Sequence, residues 1–77
     1  PAAAVAAILK LRDSLDRPVP PKVWAALCFA LCGVEPSALE SVDLSALADL
    51  WALVNGIKAK DSASIQRANA IAKKISA

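Results

Sequence analysis

The chain contains no histidine and no tyrosine, and only two glycines, two cysteines and one phenylalanine. Without histidine, most zinc sites and most side-chain acid–base catalysis near neutral pH lose their usual residue. There is no Gly-rich phosphate-cradling loop and no Gly-x-Ser-x-Gly element. The expectation is a protein that is not an enzyme and that carries no cofactor and no metal. So few glycines and aromatics also leave a β-sandwich or barrel without its turn and strand residues. The longest charge-free run is Val23 to Val34, shorter than the roughly 20 residues of a bilayer-spanning helix. No basic residue precedes the first apolar stretch, so a secretory signal is not expected.

What is present points to helices. Of 77 residues, 57% are apolar, which argues against intrinsic disorder. Eighteen of them are alanine, and 24 are the larger Val, Ile, Leu, Phe or Trp. That is enough for one core with little to spare, so residues 1–77 are expected to form a single all-α domain. A core of this size rarely supplies more than about 3–5 kcal/mol, and oligomerisation is a common remedy.

The net charge of +2 implies no partner, but the charges are segregated. Residues 1–33 carry net +2, residues 34–55 net −4 through Glu35, Glu40, Asp43 and Asp49, and residues 56–77 net +4. An acidic middle and a basic end attract each other within a chain or between copies.

Four main helices and one short helical turn are predicted. The first runs from Ala2 to Asp16, with Val5, Ile8, Leu11 and Leu15 on one stripe. Asp13 is expected to pair with Arg17 four residues on, and Pro18 to stop the helix. The second runs from Pro21 to Cys32, opened by paired prolines and closed by a left-handed Gly33. It is apolar nearly all round, which predicts a central position in the bundle or a partly uncovered surface. A short helical turn starts at Pro36 or, as a capping box, at Ser37 with Glu40. A further helix runs from an Asp43 cap to Asn55, with Gly56 as its left-handed terminal residue and Ile57 beyond it. The last helix starts at an Asp61 or Ser62 cap and runs to Ser76, with Ile65, Ala68, Ile71, Ala72 and Ile75 on a narrow stripe.

Cys28 and Cys32 are one helical turn apart on one face, which is poor geometry for a disulfide and too few ligands for zinc. They are expected to be buried free thiols, and free thiols favour a reducing compartment. Asp13-Ser14-Leu15 resembles the Asp-Ser-Leu at the phosphopantetheine attachment site of acyl carrier proteins. In that family the serine opens a helix after a long loop and the chain is acidic. Here Ser14 falls near the end of the first predicted helix, and no prosthetic group is expected on it.

Two functions stay in view. The first is protein–protein interaction or assembly, through self-association or docking on a larger complex. Trp24, Phe29, Leu31 and Trp51 are the expected apolar contacts, and Lys58, Lys60, Arg67, Lys73 and Lys74 the charged ones. Trp24 and Trp51 are also expected to pack near one another. By fold-level analogy only, small Ala-rich helical subunits of phage and bacterial assemblies have this character. That places the chain in the cytoplasm or in a particle assembled inside the cell. The alternative is a small DNA-binding regulatory protein that uses the basic last helix. The gap before that helix, counted from Gly56, is slightly long for a helix-turn-helix.

Overall fold

Five alanines and no acidic residue open the chain, and alanine loses the least on entering a helix. In the computed structural model, which describes residues 1–76, they start helix α1, Ala2–Asp13. Val5, Ile8 and Leu11 form its buried stripe. The helix ends three residues short of the expected Asp16. Ser14 is the reason: its Oγ donates to the Leu11 carbonyl at 2.6 Å, and such side-chain bonds compete with the helical ladder. The i,i+4 pair of Asp13 with Arg17 does not form. Arg12 donates to Asp13 at 3.0 Å, and Asp16 meets Lys60 at 3.3 Å.

Helix α2, Pro21–Cys32, matches its expected limits. Pro21 takes the first position, where a missing N–H leaves nothing unpaired. Gly33, at φ 72°, ends the helix with its N–H donating to the Phe29 carbonyl at 2.9 Å. A 3-10 turn, Pro36–Ser41, follows in the proline-first register and not as a capping box. Its Leu39 is fully buried, which anchors the turn on the core.

Helix α3, Leu44–Lys58, starts after Asp43, whose side chain makes no capping bond. It runs through Asn55, Gly56 and Ile57 and ends almost a turn later than expected. The terminal motif foreseen at Gly56 forms at Lys60 instead. Lys60 takes φ 59°, its N–H reaches the Ile57 carbonyl at 3.0 Å, and the Asp61 N–H reaches the Gly56 carbonyl at 2.9 Å. Gly56 has a different task. A Cβ there would overlap the Ser64 hydroxyl and stand 2.6 Å from the Ser64 Cβ, so its hydrogen lets α4 approach α3.

Helix α4, Ser62–Ser76, is capped by Asp61. The Ser64 N–H and hydroxyl both donate to Asp61 Oδ2, at 3.1 and 2.8 Å. Those bonds hold the Asp61 carboxyl below its ordinary range. The stabilisation they bring is present at neutral pH and is lost as pH falls through the lowered value.

Among the described residues there is no strand. The helix expected at the centre was α2, and it shares that place with α3. Helix α3 packs against α1, α2 and α4, while α2 packs against α3, α4 and the 3-10 turn. The fully buried side chains are Ile8, Leu27, Cys28, Leu39, Leu47, Leu50 and Val54, three of them from α3. The radius of gyration is 11.4 Å, matching the roughly 11.5 Å of a compact chain this long.

Three substitutions test the α3–α4 corner. Gly56→Ala is expected to lower stability, although Ala ordinarily exceeds Gly in a helix interior by about 1 kcal/mol. Adding Ser64→Gly should recover the loss, read as a coupling energy in a urea-unfolding double-mutant cycle. Additive effects would show that the helices do not meet there. Lys60→Gly should raise stability by about 1 kcal/mol, because a side chain in the left-handed region costs roughly 1–2 kcal/mol. Its exposed bridge to Asp16 contributes little against that. An unchanged urea midpoint would count against the strained turn.

Candidate functional site

Periodicity places an apolar residue on a stripe, but only packing decides whether a neighbour covers that stripe. Phe29 projects from the outer face of α2 and is 59% exposed. It lines a groove of about 370 Å³ with Lys22, Ala25, Ala26, Glu35, Pro36 and Ile75. Ile75, at 47% exposure, belongs to the end of α4. Trp51, 42% exposed, lines a second groove of about 370 Å³ between α1 and α3. Its neighbours there are Ala4, Ala7, Ile8, Leu44, Leu47 and Ala48, and no charged group is among them. Leu44 is 64% exposed.

Two of the four expected apolar contacts do not stand free. Trp24 is only 5% exposed, because α2 turns it into the core beneath the Arg12 guanidinium, 5.0 Å above its ring. That stacking of a cation on an indole face adds attraction to the burial. Leu31 is half-buried and packs against the core. The expected neighbourhood of the two tryptophans is also absent. Trp24 lines a separate groove of about 460 Å³ with Arg12, Asp13, Leu15, Pro18, Val19 and Pro21.

Leu44 and Ile75 were not foreseen as surface groups. Both were read as parts of core stripes. On α3, however, Leu47, Leu50 and Val54 follow one face, while Leu44, Ala48 and Trp51 follow a face rotated away from it by the 3.6-residue period. The second stripe was the only available signal.

The five cations are all exposed, yet they do not make one patch. Lys58 and Lys60 edge a wider groove of about 650 Å³, which Asp16 and Arg17 share. Lys73 and Lys74 lie at the other end of α4, about 16 Å along its axis by the helical rise. Arg67 and Lys74, seven residues apart, share a flank, and Lys73 projects from a different one. The spacing judged too long for a helix-turn-helix is in fact short. Only Ala59, Lys60 and Asp61 separate α3 from α4, within the usual length of that turn.

Both cysteines are free. Burial, and then the neighbouring Cys32 thiolate, push the Cys28 thiol up to about 12, with Arg12 acting in the opposite direction. Burial and the Asp49 carboxylate also raise Cys32, whose Sγ lies 3.6 Å from the Ala46 carbonyl. Neither is an activated nucleophile. No cluster of three or more ligating side chains occurs among the described residues. Ser14 keeps its hydroxyl on the Leu11 carbonyl at the end of α1 and opens no helix.

The stretch Pro21–Ser41 has a mean hydropathy of 1.3, long and apolar enough by composition to cross a bilayer. The chain divides it at Gly33 into α2 and the 3-10 turn. Twelve residues of α2 reach about 18 Å, against a hydrocarbon core of about 30 Å. Compared with protein-family models, curated proteins and solved structures, the chain matches none of them.

Thiol labelling checks the placement of the cysteines. At mildly alkaline pH the folded protein should take up one equivalent of alkylating reagent slowly, on Cys32. Cys28 should react only on unfolding, as read by peptide mass spectrometry. The neutral Cys28 thiol stabilises the fold fully below pH 9, and that contribution is lost as pH rises from about 9 toward 12. Equal labelling of both in the native state would contradict the packing of α2.

Proposed function

We propose that this protein is a small helical assembly module, a structural or adaptor subunit that joins protein to protein through uncovered apolar helix faces. The observation that carries this reading is the grouping of four of the five exposed large apolar side chains among the described residues; the fifth, Ile65, stands apart beside charged groups. Phe29 and Ile75 share one groove, and Leu44 and Trp51 share another. Single exposed hydrophobes are ordinary, but contiguous patches mark interaction surfaces. Trp and Phe in such patches are the residue types that dominate interface energies. A chain of 77 residues has little core to spare, so burying a face against a partner adds stability that the isolated domain lacks.

A second reading, a small DNA-binding regulator, rests on the three-residue connection into α4. That helix has no acidic residue and presents exposed Gln66, Arg67, Lys73 and Lys74. The assembly reading is preferred because the cations are dispersed, whereas the apolar groups are gathered.

Salt separates the two. Association through apolar faces survives added salt or strengthens, whereas DNA affinity falls steeply as counterions are released. Light-scattering mass measurements at low and high salt, with and without duplex DNA, are expected to show a species heavier than 8.0 kDa in both salts. Replacing Arg67, Lys73 and Lys74 with Gln should leave that species intact. Salt-sensitive DNA binding abolished by the triple substitution would favour the second reading. A monomer indifferent to salt and DNA would overturn both.

A further inference from the structure

The groove that holds Phe29 is lined by one basic and one acidic residue, Lys22 and Glu35, among apolar ones. Lys22 lies seven residues before Phe29, and seven residues are close to two full turns, so both project from the same face of α2. The rise over that interval is about 10 Å. Glu35 lies six residues after Phe29, past the Gly33 turn, and lines the same groove. Neither Lys22 nor Glu35 forms an ion pair with another described residue. Ala25 and Ala26 lie between Lys22 and Phe29, one turn from the ring, and their small side chains leave a shallow seat beside it. In chain order the lining therefore reads positive, small, aromatic, negative.

A pattern of this kind is self-complementary. A two-fold axis through the middle of the face turns it end for end, so positive meets negative and ring meets alanine. That is the requirement for a closed interface between identical chains. We propose, building on the assembly reading, that the α2–α4 face binds a second copy of this chain. The α2 helices of the two copies cross antiparallel. Each Phe29 seats on the exposed Ala25 of the other copy, above the buried Ala26, and Lys22 of each copy faces Glu35 of the other. Ile75 and Pro36 close the sides of the contact.

A standard interface buries about 800 Å² per partner, roughly a sixth of the 4976 Å² that the chain exposes. The α1–α3 groove lacks the corresponding signature, because no charged residue lines it and nothing there orients a second copy. A DNA duplex fits the α2–α4 face poorly, since Glu35 sits in the groove and repels phosphate.

Charge reversal tests the pairing without touching the core, because Lys22 and Glu35 are exposed. Sedimentation equilibrium of the wild-type chain over a wide concentration range should give a mass twice 8.0 kDa. Lys22→Glu places two carboxylates opposite each other at both ends of the contact, and Glu35→Lys places two ammonium groups there. Each alone should weaken the dimer at least about tenfold, because like charges across an interface are strongly unfavourable. Mixing the two single variants should restore association as a heterodimer, and combining both changes in one chain should restore the homodimer. Phe29→Ala should weaken association by about 100-fold, as loss of a central aromatic does. Circular dichroism should show the same helix content in every variant.

A wild-type monomer at all concentrations would overturn this dimer, as would reversals without effect or a mixture that stays dissociated. Association that ignores the reversals but is lost in Trp51→Asp would sink this dimer and leave the assembly reading standing on the α1–α3 face. Association lost in none of these variants would remove both.

Discussion

Leu47, Leu50, Leu53 and Val54 of α3 meet three other helices at once, and the rest of the fold is arranged to keep them covered. With 24 large apolar side chains for four helices, each helix buries one stripe and leaves the rest of its surface open. The Gly56 hydrogen brings α4 close on one side. The alanines of α1 allow a shallow approach on the other. Asp61 and the left-handed Lys60 make the reversal between α3 and α4 sharp enough for the two to lie against each other. Both α2 and α3 then keep a second apolar face with nothing left to cover it. Phe29 on α2 and Trp51 on α3 are exposed because the available neighbours already cover the opposite, core-facing stripes of those helices.

Much of this architecture was legible from residue order. Paired prolines before α2, a glycine after it, and Asp61 before α4 act on backbone geometry within a few residues, so their effect does not wait for tertiary contacts. The ends of α1 and α3 were less legible for a related reason. Ser14 stops α1 by bonding a carbonyl of the same turn, a local competition that Pro18, four residues on, obscured. Gly56 reads from the chain as a terminator, yet its role is to admit Ser64 from another helix. A glycine that ends a helix and one that admits a neighbour look alike until the neighbour is placed. Lys60, which does end α3, belongs to a residue type that seldom adopts the left-handed conformation.

The candidate surfaces were half legible. Phe29 lies on the helix expected to be partly uncovered, and Trp51 is exposed on α3, where it was read as part of the core stripe; Trp24 turns inward under Arg12 and Leu31 packs on the core. The period of a helix states which residues share a face. It does not state which of two apolar faces meets a neighbour, and α2 and α3 each carry two. The cations were grouped by sequence proximity, but α4 is long enough to separate Lys60 from Lys73 by most of the molecule's width. The same packing that covers the buried stripes therefore decides which residues remain for contact with anything else.

The two tryptophans end up in opposite surroundings, and the molecule thereby carries its own pair of optical reporters. Trp24, sealed beneath a guanidinium, is out of reach of a dissolved quencher until the domain opens. Trp51, at the lip of an uncharged groove, is open to collision in the isolated chain. A companion seated over Phe29 leaves Trp51 as accessible to iodide or acrylamide as before, while one seated between α1 and α3 shields it. The colour and accessibility of one indole thus report which side of the domain is engaged, and the other reports whether the domain is intact.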